Sequence, residues 1–150
     1  KTAYEMCGRD WSSDVCSSDL PDVAKALALR AGEPVLLAKR VLSFGTRPVV
    51  LEDIWFPAAQ FKGLTAERLS NHRGPMYALF ETEFNIRMVR ADEKIRAATA
   101  TDAQQALLKV EPGSALLFVE RVAFTYQDQP MELRRGYYRT DAHYYHNTLG

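Results

Sequence analysis

Two charges in this chain fall where a β-strand would set them among apolar side chains. Arg40 alternates with Leu36, Ala38, Leu42 and Phe44, and Glu52 alternates with Val50, Ile54 and Phe56. Successive side chains of a strand point to opposite faces, so each charge shares a face with its apolar neighbours. Strands from Val35 to Phe44 and from Pro48 to Phe56, joined through a Gly45-Thr46-Arg47 loop, form a β-hairpin whose register sets Arg40 opposite Glu52. Such charges are costly on an apolar face unless they pair or meet a ligand. Two readings follow, a plain cross-strand ion pair and a clamp for a small polar molecule.

A second group lies on the returning strand of a second hairpin. Glu132, Arg134 and Tyr138 share one parity between Pro130 and Arg139. Arginine offers a fork to an anion, and a carboxylate accepts from hydroxyl or amine groups, so the strip suits a small polar metabolite. The alternative is a solvated face. Metal chemistry has little support. His143 and His146 have HxxH spacing without a third or fourth ligand, and Cys7 and Cys16 lie outside any CxxC motif and have no partner histidine. No glycine-rich phosphate loop, nucleophile elbow or Cys/His pair occurs, so no catalytic residue and no cofactor is assigned.

The elements that must position these residues come in two echoing stretches, Glu33 to Phe56 and Glu111 to Tyr138. Each has a Glu-Pro start, a Leu-Leu pair, an Arg-Val and a Pro before the second apolar run. This repetition predicts a duplicated sheet unit with helices between the copies. A short helix opens at Pro21, with Val23, Ala26 and Leu27 on one face and Gly32 as its stop. Thr65 caps another through Leu69. Gly74-Pro75 starts a third, whose stripe of Met76, Tyr77, Leu79, Phe80 and Phe84 reads as core and ends at Asn85. Ile86 to Ala98 reads as a charged edge strand. Thr101 and Gln104 have capping-box spacing ahead of a helix that buries Ala103, Leu107 and Val110. The second hairpin runs from Ala115 to Tyr126 and Pro130 to Arg139, turning at Gln127-Asp128-Gln129, and Ala142 to Leu149 reads as a closing edge strand. The fold class is α+β, a mostly antiparallel five- or six-stranded sheet with flanking helices.

Composition narrows the function. With 150 residues, 47% of them apolar, the chain makes one ordinary domain. Its 19 basic and 19 acidic side chains balance, which argues against a nucleic-acid surface. No run approaches the roughly 20 apolar residues of a membrane span, so the default is a soluble cytoplasmic protein. Residues 1 to 20 differ from the rest, rich in Ser, Asp and Cys without apolar period. The run MCGRDWSSDVCSSDL resembles translated sequencing adapter; the alternative is a disordered or loosely packed leader, and neither carries function.

The stretches ALALRAGEPVLLAKRVLSFGTRPVVLEDIWFP, GPMYALFETEFNIRMVRADEKIRA and VERVAFTYQDQPMELRRGYYRTD resemble, in order and spacing, the UTRA domain. That is the effector-sensing domain of HutC-type bacterial transcription regulators of the GntR superfamily. The resemblance covers about Asp22 to Leu149 and rests on the Arg-Val strand, the Pro-x-x-x-Glu return strand, the Tyr-bearing helix start and the E-L-R-R-G-Y-Y-R strand. It implies a chorismate lyase-like fold, a small-metabolite effector, dimers, and DNA binding only through a winged helix-turn-helix domain that would precede Pro21 and is not in this chain. Arg40 matches the first of two phosphate-holding arginines in phosphosugar-sensing relatives. Leu42 stands at the second and Pro75 at a phosphate-holding serine, which disfavours a phosphosugar. Glu52, Glu132 and Tyr138 match sugar-contacting positions, and Tyr77 and Arg134 complete the ligand-binding set. Because fold does not fix function, a chorismate lyase-like enzyme acting on a small carboxylic acid is the alternative, and an inactive sensor fragment a third reading.

Overall fold

The computed structural model describes residues 7–17, by their backbone alone, and residues 20–150. In chain order the elements are β1 (Cys7–Ser17), α1 (Pro21–Ala26), β2 (Pro34–Phe44), β3 (Arg47–Pro57), α2 (Ala66–Asn71), α3 (Met76–Phe84), β4 (Arg90–Thr99), α4 (Asp102–Leu108), β5 (Ala115–Thr125) and β6 (Gln129–Arg139). They build one six-stranded sheet in the order β1-β2-β3-β6-β5-β4, and every neighbouring pair is antiparallel.

This order makes the duplication visible. Edge strand, helix and hairpin occur twice, as β1-α1-β2-β3 and β4-α4-β5-β6, and the two copies meet along β3 and β6. One spacing separates Leu27 from Leu108, Ala28 from Lys109 and Gly32 from Gly113. Leu27 and Leu108 are both buried. The other two pairs share left-handed backbone, with φ of 54° and 56° at Ala28 and Lys109 and of 85° and 81° at Gly32 and Gly113. The Glu-Pro starts are not equivalent, however, because β2 begins at Pro34 and β5 at Ala115.

Helices α2 and α3 cover one face of the sheet. Leu36, Ala38, Ile54 and Phe56 pack there against Phe61, Leu69, Leu79 and Phe80, and Phe56, Phe61 and Phe80 meet at centroid distances of 4.8–5.3 Å, the tilted and edge-on geometry that aromatic quadrupoles favour. Helices α1 and α4 cover the other face, where Val23 and Leu27 pack on Trp55 and Leu133, and Leu108 on Leu116. Thr65 caps α2, and Thr101 with Gln104 forms the expected capping box on α4.

Several expectations need correction. The backbone of Cys7–Ser17 is not irregular but pairs along β2; ladder bonds come from backbone groups that nearly every residue carries, so no apolar period is needed. The rest of the expected leader, residues 1–6 and 18–19, and the thiols of Cys7 and Cys16 lie outside the described residues. The first hairpin turns through Gly45-Thr46 alone, with its register shifted between Leu42 and Ser43. Helix α1 stops at Ala26, ahead of Gly32. Strand β4 starts at Arg90 rather than Ile86, because Asn85 turns left-handed (φ 54°) and Ile86 tucks back into the core. It is an exposed edge as expected. In α4 the buried residue is Leu108, while Ala103 is exposed and Leu107 is 53% exposed. Residues 142–149 form no strand; β1 and β4 already occupy the sheet's two edges.

Candidate functional site

The register of the first hairpin sets Arg40 directly opposite Glu52. Both are nearly inaccessible, at 6% and 3%. The Arg40 Nε and Nη2 groups donate to the same Glu52 oxygen, Oε2, at 3.2 and 2.9 Å. The plain cross-strand pair is therefore formed, and it does not end there.

Strand β6 lies beside β3 and brings Arg134 next to Ile54. Arg134 Nη1 is 3.7 Å from Glu52 Oε2, and its Nη2 donates to Glu132 Oε2 at 3.1 Å. Glu132 is fully buried. Its other oxygen accepts from the Tyr77 hydroxyl at 3.0 Å, reached from the first turn of α3. The Tyr77 oxygen in turn accepts from Arg121 Nη1 at 3.3 Å, and Arg121 Nε donates to Glu93 Oε2 at 3.0 Å. The result is one line of alternating sign across the sheet: Arg40, Glu52, Arg134, Glu132, Tyr77, Arg121, Glu93. One donor stands outside it, since the buried Nε of Arg134 has no hydrogen-bond partner.

Strand β6 also carries Gly136 opposite Glu52, and this position must lack a side chain. A Cβ there would come within 2.9 Å of the Tyr138 ring and 3.6 Å of Glu52 Cγ. Real Cβ contacts are not so short, so the bare backbone is what lets Tyr138 lie against the network.

Electrostatics follows from burial and neighbours. Burial would raise the Glu52 carboxyl, but Arg134 and Arg40 outweigh it and hold the group below its usual range. Burial lowers the Arg40 guanidinium, with Glu52 opposing. Burial also works against Arg134, yet Glu132 and Glu52 raise it above its ordinary value. Tyr77 is pushed up to about 12 by burial and then Glu132. Tyr138 is pushed up to about 12 by burial and then Glu52. At neutral pH both phenols keep their protons and can donate, to the protein or to a guest.

All six residues singled out in the sequence, Arg40, Glu52, Tyr77, Glu132, Arg134 and Tyr138, lie on this one face. Arg121 and Glu93 were not anticipated. Arg121 carried a signal nonetheless, as the arginine of the second Arg-Val. His143 stacks on Phe44 at a centroid distance of 5.4 Å. No group of three or more metal-ligating side chains occurs among the described residues.

Residues 7–144 match the family model of the UTRA domain, so the match takes in β1 as well as the stretches that carried the resemblance. A crystal structure of the ligand-binding domain of a regulator assigned to the GntR family, from Bordetella bronchiseptica, is 45% identical with a TM-score of 0.86, covering 95% of this chain and 92% of that one. PhnF from Mycobacterium smegmatis superposes with a TM-score of 0.84 at 26% identity, over 95% of this chain and 62% of that one. In sequence, the HTH-type transcriptional repressor PhnF of Mycolicibacterium smegmatis is 29% identical over 129 residues, which is 86% of this chain and 51% of that protein. The HTH-type transcriptional regulator GgaR of Escherichia coli K12 is 26% identical over 120 residues, 80% of this chain and 46% of its own length. The chain thus spans about half the length of the curated relatives it matches. On the family match and the likeness in fold and sequence to that ligand-binding domain, the chain belongs to the UTRA family, the effector-binding domain of GntR-family transcription regulators.

Proposed function

We propose that this chain senses a small polar metabolite at the alternating network and, within a whole regulator of the HutC type, passes its occupancy to a winged helix-turn-helix domain on the N-terminal side of β1. The observation that carries this reading is the line from Arg40 to Glu93, buried from Arg40 to Glu132 and open at its Glu93 end, which joins both hairpins and α3 and holds an unpartnered Arg134 Nε. Buried polar groups of this density are costly unless each is satisfied, and a guest that supplies the missing acceptor gains from completing the set. Regulation then works by differential affinity for two arrangements of a homodimer, without a catalytic step. PhnF is named a transcriptional repressor, which favours release from DNA on binding. DNA is reached only through the other domain, residues 1–20 contribute no ligand contact, and the working compartment is the cytoplasm. No helix among the described residues is long and apolar enough to cross a membrane.

The guest is a carboxylate, an amino-acid catabolite or an unphosphorylated sugar. Leu42 is 2% exposed and packs with Val50 and Tyr138, so the position of the second phosphate-holding arginine is apolar. A metabolite thermal-shift screen tests the reading. A guest at about a hundred times its Kd adds ~2.7 kcal/mol, and a domain of this size should melt about 5–10 °C higher. Arg40→Ala and Glu52→Ala, with folding checked by circular dichroism, should each abolish that shift; normal responses in both would sink the assignment. Incubation with chorismate should release no pyruvate.

A further inference from the structure

We propose that the sheet face turned away from the charged network carries a second small-molecule site, under α4, which takes an organic cation. The argument comes from comparing the two copies of the duplicated unit, because the same groove is filled in one and open in the other.

Under α1 the groove is closed. Val23 reaches into it, 1% exposed, beside Trp55 and Leu133. Arg135 seals it, donating from Nη2 to Asp22 on α1 at 2.5 Å and from Nε to Glu120 on β5 at 2.9 Å, with its guanidinium 5.2 Å from the Trp55 ring centre. A central cation is thus held by two carboxylates and an aromatic face.

Under α4 the equivalent positions carry Gln104 for Val23, Tyr137 for Trp55, Asp53 for Arg135, Lys39 for Glu120 and Ala103 for Asp22. The charges are inverted, and one is missing. Asp53 takes the central place and Lys39 pairs with it at 3.2 Å, but the helix position that should complete the triplet is an alanine. Gln104 does not fill the space that Val23 fills, because its Oε1 accepts from the Thr101 backbone N–H in the capping box at 3.0 Å. What remains is a cavity of about 530 Å³ beside Asp53, Tyr137, Val41, Leu51 and Leu107. Sites for small organic ligands run from about 300 to 1,000 Å³.

The filled groove shows what the open one lacks. A second cation beside Asp53, lying over the Tyr137 ring, would restore the triplet with its signs reversed. Lys39 is the outer partner, 55% exposed against 36% for Asp53, so the carboxylate is the charge that a guest inside the cavity meets. An amine, amidinium or guanidinium with an apolar body against Val41, Leu51 and Leu107 fits this chemistry. Arg40 and Glu52 also line this cavity, so the two sites share a wall through the sheet.

Amide NMR on the full chain, titrated with benzamidine and with benzoate as the charge control, tests the proposal. Benzamidine should give saturable shifts at Asp53, Thr101, Gln104 and Tyr137, and benzoate none. Asp53→Asn, a change at a partly exposed pair, should weaken binding about tenfold. Gln104→Val, the residue that α1 uses, should narrow the cavity under α4 and weaken the binding while the spectrum stays folded. The proposal is overturned by equal binding of benzoate, by shifts confined to the neighbours of Tyr77 and Glu132, by an unchanged affinity in Asp53→Asn, or by shifts that follow protein concentration alone and mark an interface between copies.

Discussion

The two hairpins are built alike and charged differently. In the first, the facing pair is Arg40 and Glu52, opposite in sign and bonded to each other. In the second, the same register sets Arg121 against Arg134, two like charges that direct cross-strand contact would penalise. Their compensation comes from elsewhere: Glu132 two residues along β6, Tyr77 from α3 and Glu93 from β4. A duplicated unit therefore becomes a polar centre by breaking its own symmetry at one rung. The first hairpin bonds its facing charges to each other and shares Glu52 with Arg134, whereas the second offsets its like charges only through its surroundings, which draws α3 and the edge strand into the same network.

The comparison can be broken hardest at Glu132. Glu132→Ala removes the fully buried carboxylate that holds both Arg134 and Tyr77. Leaving a buried charge without its partner costs about 3–5 kcal/mol, to be read as a lower urea midpoint at constant slope. A double change of Arg40 to Met and Glu52 to Leu removes both members of the directly bonded pair and leaves Arg134 its bond to Glu132, so it should cost less than either single change. A double mutant as unstable as the singles would show that Arg134 depends on Glu52 as much as Arg40 does.

A milder perturbation lies where the hairpins touch. Gly136→Ala sets a methyl group 2.9 Å from the Tyr138 ring, and overpacking of this kind costs about 1–3 kcal/mol. The ring must move, so the variant should also alter the response to any guest of the network while Arg40 and Glu52 stay paired.

The smallest effect is expected at alkaline pH. Tyr77 and Tyr138 are raised from 10.0 to about 12, so between those values the folded protein keeps protons that the unfolded chain loses. Their contribution is whole below pH 10 and falls as pH rises towards 12. At pH 11 each accounts for no more than about 1 kcal/mol, less where the ring is partly exposed. Tyr77→Phe should remove the share set by burial and then Glu132, and Tyr138→Phe the share set by burial and then Glu52. Identical urea-midpoint profiles for wild type and both variants from pH 9 to 11.5 would show that neither phenol is perturbed.

The parts of this arrangement legible in the sequence were local ones. Arg40 faces Glu52 because a short loop fixes the register and strand alternation fixes the face, and both can be read from consecutive residues. Glu132, Arg134 and Tyr138 follow from parity alone. Arg121 and Glu93 did not, because their partners come from α3 and β4, and no local pattern encodes which helix meets which strand. Helix α4 turns Leu108 rather than Leu107 inward for a geometric reason. Seven residues make about two turns, and Leu107 and Leu108 are neighbours about 100° apart, so either can define the apolar face. The repeated Glu-Pro misled in another way, matching as letters while the strands that follow begin at different offsets.

The sheet order has a further consequence, for how the chain comes together. β1 with β2, β2 with β3, β4 with β5 and β5 with β6 each join segments close in sequence, and β3 with β6 is the strand pair that links the two copies, with α4 packed on β3 and α1 on β6 along the same seam. Contact order is therefore low within each copy and high at one seam, where residues 50–55 meet residues 133–138. The entropy of long-range loop closure is concentrated in that single step. Arg134 and Glu52 sit on either side of it, so the residues that form the polar centre are also those whose meeting marks the chain as closed.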